Sequence, residues 1–203
     1  AKADVMIGHS MGGFVATVAG ANYPDRFGKL LLIDGGLPSI DKMPENVSAE
    51  ELAMAVVGAS MKRLDMVFES RAAYREFWKQ HPCFATDWSN YVEAYVDYDL
   101  VGEVPTLKSG VNKNAILKDV ETQLMSDLLP EALEAVALPV RFVKAPRGMV
   151  NEDPLYADDA IDHWAARIKD VSLGVIDDVN HFTIVISKKG AAAVGADIQD
   201  LLS

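Results

Sequence analysis

One cysteine, Cys83, stands among the 203 residues, so the chain has no intrachain disulfide and no cysteine metal site. The ordinary role of such a residue is that of a small buried hydrophobe. No apolar run approaches the roughly 20 residues that cross a bilayer. Basic residues are scarce as well: 19 Lys and Arg face 30 Asp and Glu, a formal charge of -11 spread without a block of one sign. That balance disfavours nucleic acid and anionic membranes and favours solubility, and it names no substrate. His9 and His81 have no second ligand at metal spacing, so a metal is not expected. Internal repeats and low-complexity tracts are absent too.

What is present starts at the first residues. Val5 to Gly13 read V-M-I-G-H-S-M-G-G, a short apolar run ending in G-x-S-x-G at Gly8, Ser10 and Gly12. Five such letters arise by chance in roughly one chain of this length in twenty. The context is more specific: Val5 to Ile7 predict a strand and Gly13 to Ala21 an Ala-rich helix beginning where the turn ends. Strand, tight turn and helix form a nucleophile elbow, which thrusts a weakly nucleophilic serine hydroxyl toward an imidazole. The competing reading is an ordinary turn in which Ser10 caps the helix containing Phe14.

A second feature argues against mere capping. Near the far end, Val171 to Ile176 predict a strand, followed by V-N-H-F-T, which places His181 in the loop after it. A histidine downstream of an elbow serine fits the chain order nucleophile, acid, histidine.

With G-H-S-M-G-G, the strand at Lys29 to Asp34 ending L-L-I-D-G-G, the strand Val140 to Val143 and N-H-F in hand, the chain resembles the α/β-hydrolase superfamily from its nucleophile strand to its C-terminal helix. The resemblance implies an α/β fold: a partial hydrolase sheet of about four mostly parallel strands with flanking helices, carrying a helical cap insertion. The expected core is residues 1–37 and 138–203, and the cap residues 38–137. Within the cap, helical stretches are predicted over Ala49–Phe68, Arg71–Gln80, Ser89–Asp97 and Thr122–Ala137, with no strand pattern. Its aromatic and Met side chains, with Met61, Trp78 and Trp88 foremost, are candidates for the apolar substrate wall, against the alternative of packing within the cap. Only seven residues precede Gly8, where the resemblance implies further strands. The chain is therefore expected to be a fragment with an open sheet edge beside Val5 to Ile7, and a separate chain supplying those strands is one reading.

The resemblance also implies the remaining parts of the site. His181 needs a carboxylate, and most relatives place it after the strand ending at Val143, where Asn151, Glu152 and Asp153 stand. Asn151, at the position where an Asp is usual, is uncharged. Some branches place the acid after the preceding strand, where Asp34 stands. Asp34 is put ahead of Glu152, with Asp153 third. One oxyanion donor is the backbone N-H of Met11, and the other belongs to the absent N-terminal loop. The function implied is a cofactor-free serine hydrolase of ester, thioester or related acyl substrates with an apolar part, located in the cytoplasm. The alternative is a non-catalytic module that holds an apolar small molecule.

Overall fold

The structure, a computed structural model, describes residues 1–38, 47, 48, 51 and 61–203. In chain order its elements are β1 (Ala3–His9), α1 (Met11–Asn22), β2 (Phe27–Ile33), α2 (Arg71–Lys79), α3 (Pro82–Ala85), α4 (Asn90–Asp99), β3 (Leu100–Val101), β4 (Lys108–Ser109) and α5 (Lys113–Met125). They continue with α6 (Leu128–Ala135), β5 (Val140–Lys144), α7 (Asp158–Ala165), β6 (Val171–Val175), α8 (Thr183–Ile186) and α9 (Lys188–Leu202). The chain divides into two compact units, Ala1–Lys42 with Ser126–Ser203, and Met43–Met125.

The first unit holds a four-stranded parallel sheet in the order β1-β2-β5-β6. Along β2 the side chains alternate faces, as a pleated strand requires. Leu30 and Leu32 join one core with Ala16, Leu133, Phe142 and Trp164, while Leu31 and Ile33 join another with Val143, Ile184 and Val194. A strand buried on both faces reads as the continuous run L-L-L-I, the signature of a parallel sheet covered by helices on each side. The indole of Trp164 donates to the Pro38 carbonyl at 2.8 Å, so its buried N-H is satisfied.

The second unit is helical. Ser70 and Ser89 cap α2 and α4 by accepting from the N-H groups of Ala73 and Val92, which satisfies donors that a helix leaves open at its start. Phe68, Tyr74, Phe77, Trp78 and Phe84 meet edge to face. Asp99 accepts from Arg63, Tyr74 and Ser109.

Three expectations change here. The helix predicted over Thr122–Ala137 is two helices, α5 and α6. Pro130 cannot donate to the carbonyl of Ser126, and its ring crowds that residue, so one continuous helix cannot pass. Of the two helices, α6 buries Leu133 with Ala16 in the core of the first unit. The stretch expected to lack strands contains a small hairpin, with β3 antiparallel to β4. Most of the helix expected over Ala49–Phe68 lies outside the described residues; of its described part, Arg63–Asp65 forms a 3-10 turn.

Among the described residues, no helix is long and apolar enough to cross a membrane. Nor does any group of three His, Cys, Asp or Glu residues there form a metal cluster. Cys83 is fully buried, and burial pushes its thiol up to about 12.

Candidate active site

Ser10 sits between β1 and α1 with φ 53° and ψ -123°, a conformation that costs a non-glycine residue free energy and is held by its surroundings. Its N-H donates to the Ile33 carbonyl at 3.0 Å, and its carbonyl accepts from Gly13 N-H at 2.9 Å. The turn is tight enough to exclude side chains around it. A Cβ on Gly8 would lie 2.1 Å from the Gly12 carbonyl oxygen, and one on Gly35 would lie 2.2 Å from the carbonyl oxygen of Ser10. Gly12, the last glycine of the motif, has nothing within 4 Å of its would-be Cβ. The Ser10 side chain makes no capping hydrogen bond to α1, so capping does not explain it.

The hydroxyl is engaged elsewhere. Ser10 Oγ lies 2.9 Å from His181 Nε2, and His181 Nδ1 lies 2.7 Å from Asp34 Oδ2. Asp34 is fully buried and His181 is 1% exposed. An ionised carboxylate can only accept, so Nδ1 carries the proton and donates to Asp34. Nε2 is then the acceptor for the serine hydroxyl.

The sheet register brings Asp34 to this point. Asp34 follows the last residue of β2, and its N-H donates to the Val143 carbonyl of β5 at 2.8 Å. Its second carboxylate oxygen accepts from Ala145 N-H at 3.1 Å, just past the end of β5. Both oxygens are thus fixed, one by backbone and one by imidazole. His181 lies in the loop after β6, the strand next to β5, with its N-H on the Arg147 carbonyl at 2.9 Å.

His9 braces the same loop. Its Nε2-H donates to the His181 carbonyl at 2.7 Å, and the two rings lie 4.9 Å apart. Burial, then the neighbouring His181, lowers its pKa to about 4. His9 is therefore a neutral donor in the folded chain. Its place beside Ser10 in the sequence is the signal for this role.

Glu152 does not take part. Its side chain and that of Asp153 are exposed, and the carboxylate on His181 belongs to Asp34. Asn151 occupies the position between them and β5 with φ 66°, and its Oδ1 accepts from Arg147 and from Asn180. Met11 opens α1 directly after Ser10. The three side chains expected on a substrate wall behave differently. Met61 and Trp78 are 1% and 4% exposed within the second unit, Met61 packed with Val120 and Trp78 among the aromatic rings. Trp88 is half-buried, with Lys79 over its ring.

A buried carboxylate, an imidazole and a part-buried hydroxyl in one hydrogen-bonded line can move a proton from the hydroxyl to the ring and stabilise the cation that results. The sequence matches the model of the alpha/beta hydrolase family over residues 1–189. The chain belongs to that family. No functionally curated protein matches it in sequence. Among solved structures it is similar to E-2-(acetamidomethylene)succinate hydrolase, with TM-score 0.72 and 18% identity over 98% of this chain. It is also similar to a peroxisomal α/β-hydrolase from Saccharomyces cerevisiae, with TM-score 0.66 and 15% identity over 97% of the chain. A thioesterase domain from the curacin biosynthetic pathway matches all of it at TM-score 0.64 and 15% identity. At these identities the likeness is one of fold. The chain spans 67%, 55% and 66% of those three proteins' own lengths.

Proposed function

We propose that this member of the family is a serine hydrolase acting on an ester, thioester or related acyl compound with an apolar part. The observation that supports this reading best is the continuous line Ser10, His181, Asp34, with links of 2.9 and 2.7 Å. In this reading Ser10 Oγ attacks the acyl carbon as its proton passes to His181 Nε2. The tetrahedral oxyanion is held by the N-H of Met11. His181 then returns the proton to the leaving group, which departs and leaves an acyl-serine. Water, giving a proton to His181, attacks that ester, and His181 returns the proton to Ser10 Oγ as the acid is released. Asp34 stays ionised throughout and stabilises the imidazolium.

An oxyanion hole needs two donors, and loss of one costs about two to three orders of magnitude in rate. In the proposal the second donor comes from polypeptide added along the outer edge of β1, from a longer chain or a partner chain. The 203 residues alone are then expected to turn over acyl esters slowly.

A fluorophosphonate probe tests the reading. The parent chain is expected to be labelled and Ser10→Ala is not. A parent chain that binds apolar ligands tightly yet resists the probe favours the non-catalytic module instead.

A further inference from the structure

We infer that Asn151 and Asn180 are positioning residues that set the backbone of His181, an inference that rests on the hydrolase reading for its consequence in catalysis. Asn180 precedes His181 and is fully buried. Its Oδ1 accepts from Phe182 N-H at 3.0 Å, Thr183 N-H at 2.9 Å and the Thr183 hydroxyl at 3.1 Å. Its own N-H donates to Thr183 Oγ1 at 2.8 Å. The carbonyl end of the amide is thereby committed to the start of α8. The Nδ2 end donates to Asn151 Oδ1 at 3.2 Å.

Asn151 in turn joins this loop to the one after β5. Its Oδ1 also accepts from the Arg147 guanidinium, while the Arg147 carbonyl accepts the N-H of His181. Residues 147 and 180 pair as an isolated parallel bridge. The result is a closed circuit: His181 backbone to Arg147 backbone, Arg147 side chain to Asn151, Asn151 to Asn180, and Asn180 to His181 through the chain. Two donors on one oxygen, one of them cationic, fix Asn151 as an acceptor and hold the Cα of His181 from both sides. Its ring then spans the gap between Ser10 and Asp34.

The amide found where family resemblance implied a carboxylate thus has a task of its own, one step from the reacting atoms. Small displacements of such a ring are costly, since proton transfer requires the hydrogen-bond geometry to be held closely.

The test uses three variants of the 203-residue chain and two readouts. Asn151→Gly removes the acceptor and suits the positive φ. Asn151→Asp keeps an acceptor and tolerates the same backbone. Asn180→Asp keeps an acceptor for the three loop donors and replaces the donor toward Asn151 with a carboxylate oxygen. The first readout is the downfield NMR resonance of the His181 Nδ1 proton shared with Asp34; the second is the rate of fluorophosphonate labelling at Ser10. In Asn151→Gly and Asn180→Asp the resonance is expected to broaden into exchange with water, with labelling slowed about tenfold or more. In Asn151→Asp the resonance persists and most of the rate returns. Parent-like resonance and labelling in Asn151→Gly would overturn the inference. A parent chain that shows the resonance but never labels counts against the hydrolase reading alone, and the resonance comparison still decides the role of the asparagines.

Discussion

At the scale of single residues, the acid is the informative case. Three carboxylates, Asp34, Glu152 and Asp153, are candidates for His181, and Asp34 reaches it, at 2.7 Å. Replacing it with Asn keeps the shape but lets the imidazole adopt the wrong tautomer, which in a Ser-His-Asp system costs on the order of 10⁴ in rate. Asp34→Asn is therefore expected to abolish measurable labelling and turnover, while Glu152→Gln leaves both near the parent level. Parallel rate measurements on the two variants decide the assignment. His9 supplies a test by pH. Its folded pKa of about 4 lies below its unfolded value of 6.5, so between those values the unfolded chain binds the extra proton. Its contribution to stability is complete above pH 6.5, is lost as pH falls toward 4, and amounts to a few kcal/mol. His9→Gln, a donor that does not titrate, is expected to flatten the pH dependence of urea unfolding over that window. An unchanged slope would mean that His9 is not held neutral.

At the scale of elements, the parallel strands and the elbow were legible in the sequence. Buried parallel strands leave continuous apolar runs, and Leu30 to Ile33 is one. The two-residue strands β3 and β4 were not legible, because two residues establish no periodicity. The break between α5 and α6 was there to be read in Pro130. Ser10 and His181 could be found from motif and chain order, since each stands in its own short signature. Asp34 could be ranked ahead of Glu152 from its place at the end of an apolar strand, but its contact with His181 depends on the register that sets it beside Val143 and Ala145. The glycines show the same distinction. Three glycines spell or flank the motif alike, but a Cβ at Gly8 would strike backbone at 2.1 Å from Gly12 O and one at Gly13 at 2.5 Å from Gly35 C, whereas Gly12 faces open space. Gly8→Ala is expected to destabilise the chain by about 3 kcal/mol or more, as overpacking against rigid backbone does. Gly12→Ala, within α1, is expected to be neutral or to stabilise by about 0.5 to 1 kcal/mol. Thermal unfolding of both variants checks the pair.

At the scale of the whole molecule, the first unit by itself assembles the proposed chemistry. Ser10 follows β1, Asp34 follows β2, the loop after β5 holds Asp34 and His181 in place, and His181 follows β6. Each functional group stands at the carboxyl end of a strand, where a parallel sheet places its ligand sites. Neighbouring strands converge on one point because their register is fixed by backbone hydrogen bonds across the sheet, so residues 171 positions apart in sequence come within 2.9 Å. The second unit carries its own aromatic core and its own part-buried ionic cluster around Asp99. The measurement that bears most directly on this arrangement is the site of phosphonylation, read by peptide mass spectrometry after fluorophosphonate treatment and trypsin digestion. The adduct is expected on Ser10, within the peptide spanning residues 3–26, at one group per chain. Modification at any other residue, or equal modification when His181 is replaced by Ala, would contradict it.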